Sequence, residues 1–496
     1  MSVFYPTYDQ VLRSKFGGLV IPVTELGADP TGTEVSTGAI SEAAAYASSR
    51  AGGGIVWLGA GVFAAQGLPL YSNVRYMGAG QGATTLQLPA SATNHLFYQV
   101  VPSGGALVNS GISDMTLSAN GNTGYLYGVL LDASANVDIV EEDNVFERLT
   151  FKGFAIGWYH GADNTDGGPM YWKKTYVDHC SFYDCQFGIG HRGTYGDTYS
   201  HIFTSRCTLA GISTYGAQFS PLQSNYGGPT PGGDPATMTN LSHIHVEGLG
   251  DYASGTDNGV TMNSSALNAD GLEISNVSML AASLANPEPN IQCNIRGITS
   301  WGCGGGVALY GGSTGQCGTL EGLELSNVGN NTANWPGGYA PRQYPLFILG
   351  GHWQVKNGMV TYPPGATPAY NVELGTGAGS VGQFELGGVS FPTAGTSFIS
   401  VADTSAVVRI SDCPGYNPTG LQTAPAVPAS GTALTNPFPF DCTVAVTDTS
   451  TGTSVAVGGI TVATVPSGNT VPVFVAAGQT ITLTYTTAPT WAWTGH

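Results

Sequence analysis

Three acidic residues in the central part of the chain, Asp166, Asp197 and Glu247, have the side-chain chemistry that glycoside hydrolysis requires. That reaction uses two carboxyl groups, about 5 to 5.5 Å apart when the sugar configuration is retained and about 6.5 to 9.5 Å apart when it is inverted. His245 lies two residues before Glu247 and could assist proton transfer. We take these four residues as candidate catalytic groups.

Aromatic side chains are dense in three long segments that follow or contain these residues, 160–176, 191–201 and 215–240. Aromatic rings offer flat apolar faces beside polar edges, which suits contact with sugars. Imidazole and guanidinium groups add hydrogen-bond donors. The candidate substrate-binding residues are Trp172, Tyr171, Tyr195, Tyr199, His191, Arg192 and Arg206.

Cationic side chains and histidines are concentrated in the same region, although the net charge is -18. Six of the 14 Lys and Arg residues fall between 148 and 206, and six of the nine histidines fall between 160 and 245. The acidic balance disfavours nucleic acid and membrane partners, because both carry negative charge. The concentration indicates a functional region or, as the alternative, a solvated face or a subunit contact.

The stretch "HIHVE" would place His243, His245 and Glu247 on one face of a strand, where they could bind zinc. A closed zinc site needs a fourth ligand, and the sequence does not identify one. We therefore predict no metal and no cofactor.

A five-residue phrase recurs along the chain and predicts the elements that carry these side chains. It ends in an apolar residue, and examples are "SDMTL" (113–117), "ERLTF" (147–151), "DHCSF" (178–182) and "SHIHV" (242–246). A second, glycine-led phrase with alternating apolar residues follows most copies, so that each unit carries at least two short strands. Stacked units of this kind form a β-solenoid in which equivalent residues lie about 4.8 Å apart, and the cysteines face its core.

Residues 23–88 add a resemblance to this pattern. They contain "LGADPTGTEVST", "GGGIVWLGAG" and "SNVRYMGAGQGATT", and they resemble the entry segment of pectate-lyase-type right-handed parallel β-helices, a form found in many phage tailspikes. The resemblance implies a right-handed parallel β-helix with a capping helix, and a parallel homotrimer. "NTDG" (164–167) also resembles a catalytic motif of polygalacturonase-type β-helices, but the companion motifs "DD" and "GHG" are missing, and a turn at Asp166 is the alternative.

The spacing of the predicted strands changes after a proline-rich connector at 411–440. The remaining strands are separated by hairpin-length gaps, which predicts an antiparallel β-sandwich. This part is similar to C-terminal modules of tail proteins from phages of Gram-positive hosts. The predicted organisation is a cap or attachment segment at 1–22, a parallel β-helix at 23–414 and a β-sandwich at 415–496.

These features lead to a hypothesis about function. The resemblance implies a tailspike-like protein that binds host surface polysaccharide and depolymerises it by hydrolysis, and that attaches to other tail proteins through its N-terminal segment. No signal peptide is evident, so we expect synthesis in the host cytoplasm and a location in the virion. The alternatives are a non-catalytic adhesin, a lyase acting on uronic-acid glycans, or a purely structural virion component.

Overall fold

The chain folds as a right-handed parallel β-helix followed by a small antiparallel β-sandwich, as the sequence predicted. This architecture comes from a computed structural model that describes residues 19–99, 105–132, 140–161, 175–191, 196–214, 236–252, 257–286, 292–311, 316–329, 345–364, 370–375, 381–391, 397–401, 406–413, 420–438 and 440–496. Within these ranges, no helix has the length and apolar character needed to cross a membrane.

The parallel ladder begins at Leu19–Pro22, which pairs with Gly54–Leu58. A short 3-10 helix at Val23–Leu26 and an α-helix at Thr37–Ser48 follow the first strand. The α-helix buries Ile40 and three alanines against the first coils, so its small apolar face closes this end of the core.

A long parallel sheet runs the length of the β-helix and carries the outward-facing residues discussed below. It contains eighteen strands in the described part of the chain. Their bounds are Leu19–Pro22, Thr31–Val35, Gly54–Leu58, Gly61–Ala64, Val74–Gly78, Thr84–Gln87, Gly111–Ser118, Asn144–Lys152, Thr175–Asp178, Ser181–Tyr183, Thr198–Ser205, Asn240–Glu247, Asn268–Ser275, Cys293–Trp301, Gln316–Ser326, Gly351–Val360, Val381–Ser390 and Val407–Ser411.

A second parallel sheet contains the strands formed by the glycine-led phrases. Their bounds are Leu68–Leu70, Phe97–Gln99, Tyr127–Asp132, Ile156–Gly161, Phe187–His191, Ala210–Thr214, Asn258–Ser265, Leu280–Asn286, Gly305–Gly311, Leu346–Leu349, Tyr370–Leu374 and Ser397–Val401, and the short strand Ala236–Thr237 pairs beside them. Ala106–Val108 and Val140–Glu142 form a separate pair.

One continuous apolar core fills the space between the sheets, as the alternation in the repeated phrases predicts. Side chains of neighbouring coils stack on one another in this core. For example, the rings of Phe151 and Phe182 lie 4.6 Å apart and are nearly parallel. All eight cysteines are free thiols and buried. Burial raises the pKa of Cys180 to about 12, which leaves it a core residue rather than a nucleophile.

The C-terminal part pairs its strands antiparallel in two four-stranded sheets, counted over the described residues. The bounds are Gly420–Gln422, Cys442–Thr447, Thr470–Val475 and Thr490–Gly495 in one sheet, and Ala433–Thr435, Thr453–Val457, Ile460–Val465 and Thr480–Thr484 in the other. A separate apolar cluster centred on Trp493 lies between them. The sandwich therefore has a core of its own.

Candidate functional site

A single residue with a left-handed backbone interrupts the pairing in successive strands of the long sheet. Residues on either side pair between coils, such as Ser200 with Ser242 and Ile202 with Ile244. The interrupting residues form a column of equivalent positions with positive φ, namely Asp114, Arg148, His179, His201, His243, Gly271, Gly297, Gly322, Asn357 and Gly388. We call this set the left-handed column.

Three consecutive positions of the left-handed column are histidines, whereas the next three positions are glycines. His179, His201 and His243 have φ values of 50°, 50° and 53°, whereas the next two positions are Gly271 and Gly297. Glycine adopts this conformation without the steric penalty that a Cβ causes, and histidine, asparagine and aspartate are the other residues found there most often. The three histidines differ from the other left-handed residues in forming an uninterrupted, exposed run on consecutive coils.

The same backbone conformation stacks the three imidazoles along the helix axis. The ring centroids of His179 and His201 lie 4.2 Å apart and those of His201 and His243 lie 4.8 Å apart, with planes within 18° and 6° of parallel. All three residues are exposed. Because their faces cover one another, the imidazoles present their polar edges to solvent, and the outward surface carries a row of hydrogen-bonding nitrogens.

Asp178 lies beside this stack and contacts two of its members. Its Oδ2 is 2.8 Å from Nδ1 of His179, and its Oδ1 is 3.0 Å from Nδ1 of His201. Burial raises the pKa of Asp178, but hydrogen bonds from Ser200, His179 and His201 outweigh this effect and bring it to about 2. Asp178 therefore carries its negative charge throughout the neutral range.

A second column of rings lies further along the same outward surface. The rings of Tyr183 and Phe203 lie 5.7 Å apart, and Phe203 stacks on His245 at 5.1 Å. His245 places Nδ1 3.2 Å from Oε2 of Glu273 on the next coil. We call Tyr183, Phe203 and His245, together with the stacked His179, His201 and His243, the ring surface.

Two of the predicted site residues flank the ring surface. Glu247 is exposed, and Ser205 Oγ donates a hydrogen bond of 2.8 Å to its Oε2. Arg206 is also exposed, but it donates two hydrogen bonds of 2.7 Å to the carboxylate of Asp184. These bonds raise the pKa of Arg206 and lower that of Asp184, so both groups stay charged.

The structure places three other predicted site residues in the interior rather than on a groove. Asp197, His191 and Tyr199 are fully buried. Asp197 Oδ2 lies 2.8 Å from His160 Nδ1 and 3.2 Å from His191 Nε2, and the Tyr199 hydroxyl donates to it at 3.3 Å. Edges of the Trp158 ring pack against His160 and Tyr199. We call these five residues the interior cluster.

Charges in the interior cluster do not suit the acid that Asp197 was expected to supply. Burial raises the pKa of Asp197, but the charge of His160 and the hydrogen bonds from both histidines lower it further, to well below its usual range. Burial also lowers the pKa of His191, against the opposing effect of Asp197. A general acid needs a pKa near the working pH, and a carboxylate held ionised lacks the proton to donate.

The remaining candidates, Asp166, Tyr171, Trp172, Arg192 and Tyr195, lie outside the described residues. Sequence reasoning missed four residues of the outward surface, Asp178, Tyr183, Phe203 and Glu273. A signal existed for Asp178, because it directly precedes His179 in the repeated phrase. Phe203 lies in "SHIFTS", which follows the same register as "SHIHVE" but lacks the polar residue at this place.

The sequence matches no family model and no curated protein. Solved structures share the fold at low identity. The A-module of a mannuronan C-5 epimerase from Azotobacter vinelandii is 14% identical, covers 78% of this chain and 99% of its own, and has a TM-score of 0.50. The catalytic domain of a GH87 α-1,3-glucanase in complex with tetrasaccharides is 13% identical over 78% of this chain and 69% of its own, with a TM-score of 0.51. These similarities establish the parallel β-helix fold.

Proposed function

We propose that this chain is a tailspike-like protein that binds host surface polysaccharide along the ring surface. The observation that carries the proposal is the exposed stack of His179, His201 and His243, which occupies positions where the next three coils have glycine. Three exposed imidazoles stacked in a row form a continuous polar and aromatic strip, and we attribute this strip to contact with a ligand.

The chemistry of the ring surface suits a sugar polymer. The stacked imidazoles offer polar edges, and Phe203 with Tyr183 offers partly buried aromatic carbon beside them. Sugars present hydroxyl groups at their edges and C–H groups on their faces, so one pyranose uses both kinds of contact. The column repeats at each coil, about every 4.8 Å, and a polymer lying along the axis meets similar groups repeatedly.

A glycan-binding comparison between matched variants tests this proposal. Phe203→Ala and His201→Asn should each weaken binding to the recognised polysaccharide by about tenfold or more, equivalent to about 1.4 kcal/mol. Phe474→Ala removes a ring of the same type that is 57% exposed on the sandwich, and it should leave binding unchanged. Loss of binding in Phe474→Ala alone would assign recognition to the sandwich and overturn the proposal.

Hydrolysis of the bound polymer is the second candidate function, and the placement of Glu247 and Glu273 favours it. The two residues lie on adjacent coils, where Glu247 pairs with Ser275 and His245 with Glu273. One strand spacing of about 4.8 Å and two residues along the strand give a diagonal of about 8 Å between their backbone positions. Glutamate side chains that extend from backbone positions this far apart can bring their carboxyl groups to the separation of about 6.5 to 9.5 Å found in inverting enzymes. Asp166 remains a further candidate acid.

Assembly into a homotrimer that belongs to a phage tail is part of the same proposal. Its support is the resemblance of residues 23–88 to the entry segment of tailspike β-helices, and the segment 1–22 would then attach to other tail proteins. Sedimentation of the full chain should give a particle of three copies. A monomer at micromolar concentration would remove the trimer from the account.

A further inference from the structure

Asp178, His179 and His201 bring three metal-type ligand atoms together on the outer surface of the β-helix. Their ligand atoms lie within 4.8 Å of one another, and no other group of three such residues does so in the part of the chain that the structure describes. Each carboxylate oxygen of Asp178 faces the Nδ1 atom of a different histidine. The set thus has the composition of a two-histidine, one-carboxylate site.

The spacing of these atoms is close to what a tetrahedral ion needs. Zinc binds imidazole nitrogen and carboxylate oxygen at about 2.0 to 2.2 Å, and tetrahedral angles then separate the ligand atoms by about 3.4 Å. The oxygen–nitrogen separations are 2.8 Å to His179 and 3.0 Å to His201. The ion enters when one oxygen of Asp178 and both Nδ1 atoms, which now lie within 4.8 Å of one another, take up separations of about 3.4 Å, with the fourth position left to water.

The backbone and a neighbouring hydroxyl hold the ligands in place. His179 and His201 occupy equivalent left-handed positions on consecutive coils, so both side chains leave the sheet in the same direction. Ser200 Oγ donates a hydrogen bond of 2.6 Å to Asp178 Oδ1. A donor of this kind orients a metal-binding carboxylate in the way that outer partners do in known sites.

The histidines are free to adjust their rings. An imidazole holds a metal in its own plane, so the nearly parallel rings of His179 and His201 must tilt as the ion enters. Their side chains are 57% and 47% exposed, so a tilt of the rings gives up their stacking contacts but meets no buried core residue. The net charge of -18 also favours a cation over an anion as the ligand of this set.

We propose that Asp178, His179 and His201 form a binding site for a divalent transition-metal ion, with zinc as the ion that this ligand set fits best. The site differs from the one that the sequence suggested and set aside, because His245 instead contacts Glu273 and Glu247 accepts from Ser205. The proposal stands on these three side chains and does not depend on polysaccharide binding.

Calorimetric titration of the tag-free, chelator-treated full chain with zinc tests the site. The parent should bind one zinc ion per chain through this set. Asp178→Asn and His201→Asn should each weaken that binding by at least about tenfold. Asparagine is chosen at position 201 because it tolerates the left-handed backbone, so circular dichroism should show both variants folded.

His245→Asn is the matched control, because it removes a histidine from the same surface without touching the site. It should bind zinc as the parent does. Zinc should also raise the unfolding temperature of the parent and of His245→Asn, but not that of Asp178→Asn. Failure of the parent to bind zinc at about 1 mM, or equal affinity in the parent and His201→Asn, would overturn the proposal.

Discussion

The carboxylate of Asp197 lies 2.8 Å from the imidazole of His160 in the interior of the β-helix, and neither side chain is accessible to solvent. His160 and His191 pair with each other on adjacent coils, close to the ends of their strands. The contact therefore fixes the strand ends that lead into 162–174 and 192–195, the segments that contain five of the predicted site residues. We regard Asp197 as a structural anchor for the region.

Asp197→Asn should lower the free energy of unfolding by about 3 kcal/mol, because it removes one partner of a buried charge pair. Chemical denaturation followed by tryptophan fluorescence measures the change. The matched control is Asp184→Asn, which breaks the exposed pair with Arg206 and should cost less than about 1 kcal/mol. Equal losses in the two variants would contradict the anchoring role of Asp197.

Acidification should destabilise the interior cluster. The folded pKa of His191 lies below its ordinary value of 6.5 and that of Asp197 lies below 3.8. For both groups the unfolded chain then binds more protons as the pH falls, so each contribution is complete above the unfolded pKa and is lost below it. The stabilising contribution of His191, which faces Asp197, His160 and Tyr199, is lost as the pH falls below about 6.5. The contribution of Asp197 is lost only below about pH 4.

Unfolding temperatures measured from pH 7.5 to pH 5 test the histidine part of this dependence. The parent should lose stability over that interval, and His191→Gln should show a shallower decline because it removes the titrating group. The slope rather than the absolute temperature decides, since the variant also changes packing. Parallel slopes in the two proteins would exclude His191 as the source.

Substitutions in the left-handed column test how much a side chain at these positions changes the free energy of unfolding. Gly271→Val should destabilise the protein by about 2 kcal/mol, because valine is strained at a φ of 69°. A Cβ at this position meets no atom closer than 3.8 Å, so the loss measures backbone strain and not a clash of the Cβ. His243→Gly relieves the same strain and should leave the free energy of unfolding within about 1 kcal/mol of the parent. A large loss in His243→Gly would show that the imidazole stack itself stabilises the coils.

The repeated phrase predicted the coils, but it could not separate two different bends. In "DHCSF" and "SHIHV" the alternation indicated that His179 and His243 face outward, and both are exposed, at positions of the left-handed column. "SRCTL" has the same pattern, yet its Arg206 lies at a second bend, where it follows the strand that ends at Ser205. At both bends a left-handed residue stands between an outward-facing and an inward-facing residue. The five-residue phrase therefore looks the same at each bend and cannot distinguish them.

Burial of His191 was also within reach of the alternation, whereas the left-handed His201 breaks the parity between Tyr199 and the core residue Ile202. His191 lies two residues after Ile189, which is a core residue, and therefore points the same way. Because the side chains of Asp197, His191 and Tyr199 are polar, we expected them in an exposed loop, against the inward direction that the alternation gives for His191. What the sequence could not supply was the partner, since the contact of Asp197 with His160 spans 37 positions.

If the proposed hydrolysis uses Glu247 and Glu273, then Glu247→Gln or Glu273→Gln should slow polymer cleavage by about 10² to 10⁴. Affinity for the polymer should change little, because the amide keeps the shape of the side chain. The release of reducing ends measures the rate. Products that absorb as unsaturated sugars would instead indicate a lyase, and full activity in both variants would move the chemistry to Asp166 or elsewhere.

The central claim is that the polymer lies on the ring surface, and a crystal structure of the chain with an oligosaccharide from the recognised polysaccharide tests it most directly. We predict sugar density in contact with Phe203 and with the edges of His201 and His243. Density confined to the C-terminal sandwich, or to the sheet that contains Phe187–His191, would contradict the claim.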